Sequence, residues 1–303
     1  MEDAVSIIKS GGVVGIPTET VYGLAADATN LAAVRKIYDL KGRPSNNPLI
    51  VHVANISKAK ELADFDEAAL SLANQFWPGP LTMVLKKKNP TPICKEVFAG
   101  LDTIALRIPS HTKAISFLEE VGIPLAAPSA NISNYISPTS LKHVKEAFGD
   151  EVSVIEGGNS VYGIESTIID LSRKPYKILR PGFITKEALA QVLDKDIEHY
   201  IGTDVKAPGM MSKHYAPKIP LRTNAHLLHE GEIGLGFGEH VIGQMNLSVR
   251  GDLVEAASNF YSMLRTLDEK ASLMGANSIA VAPIPNIGIG IALNDKLSRA
   301  AST

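Results

Sequence analysis

From residue 1 to 193 this chain alternates short apolar runs with stretches of helical period, and that alternation commits it to an α/β architecture. Residues 13–16 read as a buried strand, and so do 49–51, 81–85, 103–108 and 166–171. Asn30 is placed to cap a helix that carries Leu31, Val34, Ile37 and Tyr38 on one face. Ser137 followed by Pro138 reads as a helix start, cap then proline at the first position, with Gly149 as its stop. The irregular spacing of strands and helices predicts a partly mixed sheet.

Residues 194–219 break the pattern. They have no period and run through Ala207-Pro208-Gly209-Met210 and His214-Tyr215-Ala216-Pro217, so they read as a linker. A long linker in an economical chain is usually functional. A second unit begins near Leu221: a strand at 233–237, one long helix over 251–274, a strand at 279–282 and a closing helix at 292–301. Leu253, Ala256, Ala257, Phe260, Leu264 and Leu267 recur at helical spacing in that long helix. The expected organisation is therefore a domain at 1–193, a linker or lid at 194–219 and a smaller α/β domain at 220–303.

Lys and Arg number 30 against 32 Asp and Glu, for a net charge of −2. Nothing global draws this chain to nucleic acid or an acidic membrane, so any polyanion site is local and built from few residues. Cys94 is the only cysteine, which excludes an intrachain disulfide and suits a reducing cytosol. No apolar run has signal-peptide or membrane-spanning character. A cytoplasmic protein without membrane contact is expected.

Two fragments carry the chemistry. Lys41-Gly42-Arg43 puts two cations one residue apart, before Pro44 and Asn47; Ser129-Ala130-Asn131 puts two short polar side chains one residue apart. Paired cations without anions are either solvated or await a ligand, and a polyphosphate is the usual ligand for two cations from one loop. Thr18 lies in Pro17-Thr18-Glu19-Thr20-Val21-Tyr22-Gly23-Leu24, directly after the first strand. Polar residues at a strand's C-terminal end face ligands in such sheets, although a turn with satisfied hydroxyls reads the same way. Arg107, inside an apolar strand, needs an anion: an internal Asp or Glu, or a ligand carboxylate. Gly163 to Ser166 and Arg180-Pro181-Gly182 are further turns, weak by themselves. There is no GxxxxGK[ST] loop, Gly234-x-Gly236-x-Gly238 lacks dinucleotide spacing, and His226-x-x-His229 lacks a third metal ligand. Cys94 reads as an inert thiol, and His52 alone as a satisfied core histidine.

Taken in order, PTETVYGL, KxRP…NPL, WPGPLT, GLDTIALRIPSH, APSAN, SPT, GIESTI, LRPG and PGM…KHYAP resemble the YrdC/Sua5 family of threonylcarbamoyl-AMP synthases, over nearly the whole chain. The resemblance implies a YrdC-like domain with a twisted mixed sheet, followed by a smaller, Rossmann-like α/β domain of Sua5 type. It also implies that L-threonine, bicarbonate or CO2, and ATP become L-threonylcarbamoyladenylate and pyrophosphate, by a nucleotidyl transfer. A separate transferase complex would then pass the threonylcarbamoyl group to adenosine 37 of tRNAs that read ANN codons.

Roles follow from the same resemblance. Lys41 and Arg43 would neutralise the triphosphate and the departing pyrophosphate. Ser129 and Asn131 would hold phosphate oxygens or the metal-bound end, with Ser137, Arg180 and Tyr215 completing the ATP site. Arg107 would pair with the threonine carboxylate. Thr18, His52, Thr103 and Ser166 would frame the rest of threonine, Thr103 counting also among the ATP contacts, and Asn47 would shape the cation loop on the threonine side. Mg2+ is expected with ATP, its ligands mostly phosphate, because no acidic triad marks a protein metal site. No protein nucleophile is expected. The linker, through Tyr215, would serve as a lid. Direct RNA binding by the basic cavity is the competing reading, and the near-neutral charge weighs against it.

Overall fold

Apolar strands buried on both faces need a layer on each side. In the computed structural model, which describes residues 1–302 except 203, 211–213, 241 and 244, one large sheet meets that need in an unequal way. Chain order runs α1 (Glu2–Lys9), β1 (Val14–Ile16), β2 (Gly23–Asp27), α2 (Leu31–Lys41), β3 (Ile50–His52), α3 (Ile56–Leu62), α4 (Glu67–Phe76), β4 (Leu81–Lys86), α5 (Lys95–Phe98), β5 (Thr103–Arg107), α6 (Thr112–Val121) and β6 (Leu125–Ala126). It continues with α7 (Leu141–Phe148), β7 (Ser153–Val154), β8 (Thr167–Asp170), β9 (Lys177–Arg180), α8 (Lys186–Leu193) and β10 (Glu198–His199). The second unit holds β11 (Leu221–Arg222), β12 (Glu232–Gly236), β13 (Met245–Asn246), α9 (Leu253–Met274), β14 (Ser278–Val281) and α10 (Ile289–Ala300).

The large sheet has the order β10-β9-β8-β4-β5-β3-β6-β2-β1-β7 and mixes parallel with antiparallel pairs. Two-residue alternation sorts its side chains. Leu24, Val51, Met83, Ile104, Leu106 and Ile169 pack with Val34 and Ile37 of α2 and Leu72 of α4. On the other face, Val14, Ile16 and Ala25 are covered by α1 and α6 through Ile8 and Phe117. The remainder of that face, with Ile50, Val84, Ala105, Ile168 and Leu179, packs against no helix among the described residues. Ala207, Tyr200 and Met210 of the expected linker cover it instead. His52, Thr103 and Arg107 belong to this helix-free face by alternation with Ile50 and Ala105.

The second sheet, β11-β14-β12-β13, is wholly parallel, and α9 and α10 pack together beside it. Its apolar core does not stop at the domain's edge, because Val21, Ile136, Ile164 and Tyr215 join it.

Some expectations need correction. The helix expected from Ser137 begins at Leu141, capped by Ser140, whose hydroxyl accepts from His143 N; Ser137 is fully buried, its hydroxyl spent on Glu165. Gly23–Asp27 is a strand that the sequence reading passed over. Glu198 and His199, inside the expected linker, form β10 beside β9. Residues 211–213 of the PGM…KHYAP stretch, Lys213 included, lie outside the described residues. Among the described residues no helix is long and apolar enough to cross a membrane.

Candidate active site

Lys41 is the last residue of α2, and Gly42 ends the helix with φ 58, a left-handed conformation that glycine adopts without strain. This stop sends Lys41 inward. It is 1% exposed, and its ammonium donates to Ser129 O at 2.6 Å and Asn131 O at 2.5 Å. Ser133 N donates back to Lys41 O at 2.8 Å. The two fragments singled out in the sequence are thus one structure. Arg43, past the turn, donates to Asn47 O, Asn47 Oδ1 and Pro48 O, so Asn47 does shape the cation loop. Arg180, at the end of β9, donates to Ser166 O and Oγ and to Pro208 O of the linker.

Buried ion pairs do occur in this protein, at Arg107, Arg265 and Lys296. Among the described residues, none joins Lys41, Arg43 or Arg180 to a carboxylate. Burial, and then the Arg43 charge, push the Lys41 ammonium well below its ordinary value. Burial likewise lowers Arg43 to about 10, against the pull of Tyr38. Such groups are costly as they stand and are relieved by an anion.

The other end of the pocket is balanced. Arg107 lies 2.6 Å from Glu19 Oε1 and also donates to Thr20 Oγ1 and Gly79 O. Of the two anions the sequence left open, the structure supplies an internal glutamate. Glu19 Oε2 is buried without a hydrogen-bond partner. His52 pairs with Arg107 in the β3–β5 register. Burial, and then the Arg107 charge, lower His52 to about 3, so its ring is neutral. Its Nδ1 is also unpartnered. Thr18 donates to Val21 O and accepts from Thr20 N and Val21 N, the satisfied turn foreseen as the plainer reading. Ser166 shares a 2.7 Å hydrogen bond with Thr82.

The pocket between these ends is lined by Thr18, Arg43, His52, Arg107, Ser129, Ser166, Arg180 and Tyr215, all expected from the sequence. Lys41 and Asn131 stand behind Ser129, and Asn47 behind Arg43. Ser137 stands behind Glu165. Thr103 opens β5 on the same face as Arg107 but four residues earlier, roughly 13 Å along the strand, outside this lining. Tyr215 holds φ 63 and is 1% exposed. Its hydroxyl has no partner and abuts Gly209, where a Cβ would lie 2.7 Å from it.

Sequence reading missed Glu19, Thr20, Glu165 and His214. Glu19 was flanked by expected residues, and a charge beside a buried strand was the available signal. His214 meets Tyr215 edge-on, with ring centroids 4.0 Å apart. Burial, then Arg43, Lys41 and Arg180, lower its pKa well below the ordinary value. Glu165 accepts from Ser137 and from Tyr261 of α9. Nothing local to either residue announced these partners.

A family described as "Telomere recombination" matches residues 6–182, and one described as "Threonylcarbamoyl-AMP synthase, C-terminal domain" matches 184–302. The chain is 37% identical to the threonylcarbamoyl-AMP synthase of Bacillus subtilis, over 98% of this chain and 92% of that protein. It is 38% identical to that of Pyrococcus abyssi, over 98% and 93%. The crystal structure of P. abyssi Sua5 complexed with L-threonine superposes with a TM-score of 0.89 and 35% identity, covering 99% of this chain and 93% of that one. Escherichia coli YciO, at 24% identity and a TM-score of 0.52, shares the fold of the first domain.

Proposed function

Because the chain belongs to the YrdC/Sua5 family of threonylcarbamoyl-AMP synthases, we propose that it joins L-threonine, bicarbonate and ATP into L-threonylcarbamoyladenylate and pyrophosphate. The observation that carries this reading is the pocket's charge pattern. Three buried or half-buried cations, Lys41, Arg43 and Arg180, converge without carboxylate partners among the described residues. A polyphosphate supplies the missing anions.

In this reading the threonine amine adds to the carbon of bicarbonate, and water leaves, its hydroxyl from that carbon and its proton from the amine, to give a carbamate. A carbamate oxygen then bonds to the α-phosphorus as the bond to the bridging oxygen breaks, and the electron pair leaves with pyrophosphate. The chain supplies position and charge rather than a nucleophile. Lys41, Arg43 and Arg180 meet the charge that grows on the leaving group. Arg107, already oriented by Glu19 and Thr20, takes the threonine carboxylate with its remaining donor positions. His52, Thr18 and Ser166 border the threonine amine and side chain. Thr103, outside the pocket lining, extends the nucleotide's path along the helix-free face. Magnesium arrives as MgATP; Asn131 Oδ1, buried and unpartnered, suits a hard cation, and the phosphates supply most of its ligands. The linker beyond β10 acts as the lid, with Tyr215 and His214 closing on the nucleotide. The adenylate passes to a tRNA-modifying transferase.

The test is incubation with labelled bicarbonate, MgATP and each amino acid in turn. A labelled adenylate that forms with threonine, together with pyrophosphate, is expected. Pyrophosphate release that ignores threonine overturns the proposal.

A further inference from the structure

We propose that the C-terminal domain is a positioning element for the nucleotide half of the pocket: Tyr261 and Arg265 of α9, with Lys296 of α10, fix Glu165, Ser137 and the loop that carries Asn131. This rests on the reading of the pocket as an ATP site.

Tyr261, Arg265 and Asp268 fall four and three residues apart on α9, hence on one stripe. All three are buried. A polar stripe inside an otherwise apolar helix face is costly unless its partners are well placed. Here most partners belong to the catalytic domain. The Tyr261 hydroxyl donates to Glu165 Oε2 at 2.7 Å. Glu165 Oε1 accepts from Ser137. Arg265 donates to Ile136 O and Ser137 O and lies 4.8 Å over the Tyr135 ring. Asp268 accepts from the Tyr135 hydroxyl at 2.8 Å, and its other oxygen from Ile219 N at the linker's end. Lys296, fully buried, donates to Pro181 O, next to Arg180, and lies 3.7 Å from Glu165 Oε2.

The loop transmits this hold to the cations. Asn131 Nδ2 donates to Ile132 O and Tyr135 O, which fixes the side chain whose Oδ1 is left unpartnered. Lys41 grips the same loop through Ser129 O and Asn131 O. Close approach is built in at Gly163, with φ 68, where a Cβ would lie 2.4 Å from Ala257 O of α9. A domain that merely docks needs the apolar contacts of Val21, Ile136 and Ile164; it does not need a tyrosine, an arginine and a lysine all aimed at the pocket's rear wall.

The experiment uses the full-length chain with Tyr261→Phe, which removes one hydroxyl, and with Arg265→Met and Arg265→Lys. KM is measured for ATP and for threonine, and ATP affinity by calorimetry. Each of Tyr261→Phe and Arg265→Met is expected to weaken ATP by about tenfold, the worth of one hydrogen bond to a charged or buried group. The threonine KM should stay within about twofold, and Arg265→Lys should recover part of the loss. Equal rises for both substrates, or unchanged ATP binding in variants that fold like the parent, overturn the proposal. Failure of the parent chain to bind ATP or to make a threonine-dependent adenylate would instead overturn the ATP-site reading itself.

Discussion

Arg107 and Lys41 are both buried cations, Arg107 in the lining of the pocket and Lys41 behind its Ser129 wall, and they are solvated by the protein in opposite ways. Arg107 has a carboxylate at 2.6 Å, a hydroxyl and a carbonyl. Lys41 has two carbonyls, and the charge that acts on it is that of another cation, Arg43. An arginine that meets a single carboxylate group keeps its pairing and gains a second anion. A lysine and two arginines that meet a triphosphate start unpaired and are completed by it. In the proposed reading, the difference separates a preorganised threonine end from a nucleotide end that holds uncompensated charge.

The sharpest way to break this comparison is kinetic. Lys41→Ala and Arg43→Ala are each expected to cut threonine-dependent pyrophosphate release by at least about 100-fold, the scale of losing a preorganised charge partner for the leaving group. Near-normal turnover in either well-folded variant would show that the cations serve structure alone.

Stability should divide the two ends in the other sense. Arg107→Ala strands Glu19 in the interior and is expected to cost about 3–5 kcal/mol in denaturant unfolding. Lys41→Met also loses two hydrogen bonds but sheds an unpaired charge, so its cost should be smaller. Adding Glu19→Gln to Arg107→Met should recover much of the loss. If Lys41→Met is the more damaging, the contrast between the ends is wrong.

The smallest effect is in mild acid. Burial and Arg107 hold His52 at about 3, below its unfolded value of 6.5. The unfolded chain therefore takes the proton first. The contribution is full above about pH 6.5 and declines as pH falls toward about 3, by up to about 1.4 kcal/mol per pH unit. His143, held at about 4 chiefly by burial, adds to the same slope. His52→Gln should flatten the pH dependence of the unfolding midpoint between pH 6.5 and 5. An unchanged slope would mean that His52 already titrates normally in the folded protein.

What was legible in the sequence follows the range of the physics. Asn30 capping α2 and the apolar stripe of α9 are local facts, and both stand in the structure. Ser137 before Pro138 also had a local meaning, a helix cap, and there the local rule lost. Glu165, 28 residues away, takes its hydroxyl, and Ser140 does the capping. Arg265, Asp268 and Lys296 did leave a signal: polar residues at core positions of amphipathic helices, Lys296 sharing a face with Leu293 and Ala300. Their partners left none.

By itself, then, the sequence determined the α/β class, the breaker-rich linker and the residue types that gather at the pocket, because periodicity and side-chain chemistry act over a few residues. Tertiary structure alone decided that Lys41 lies on the backbone of the loop around Ser129, that Glu19 neutralises Arg107 while no carboxylate among the described residues neutralises Lys41, and that a distant helix holds Ser137 in place. Charge compensation depends on distance through space, and in this chain the decisive neighbours lie about 90 residues apart, as Lys41 and Asn131 do.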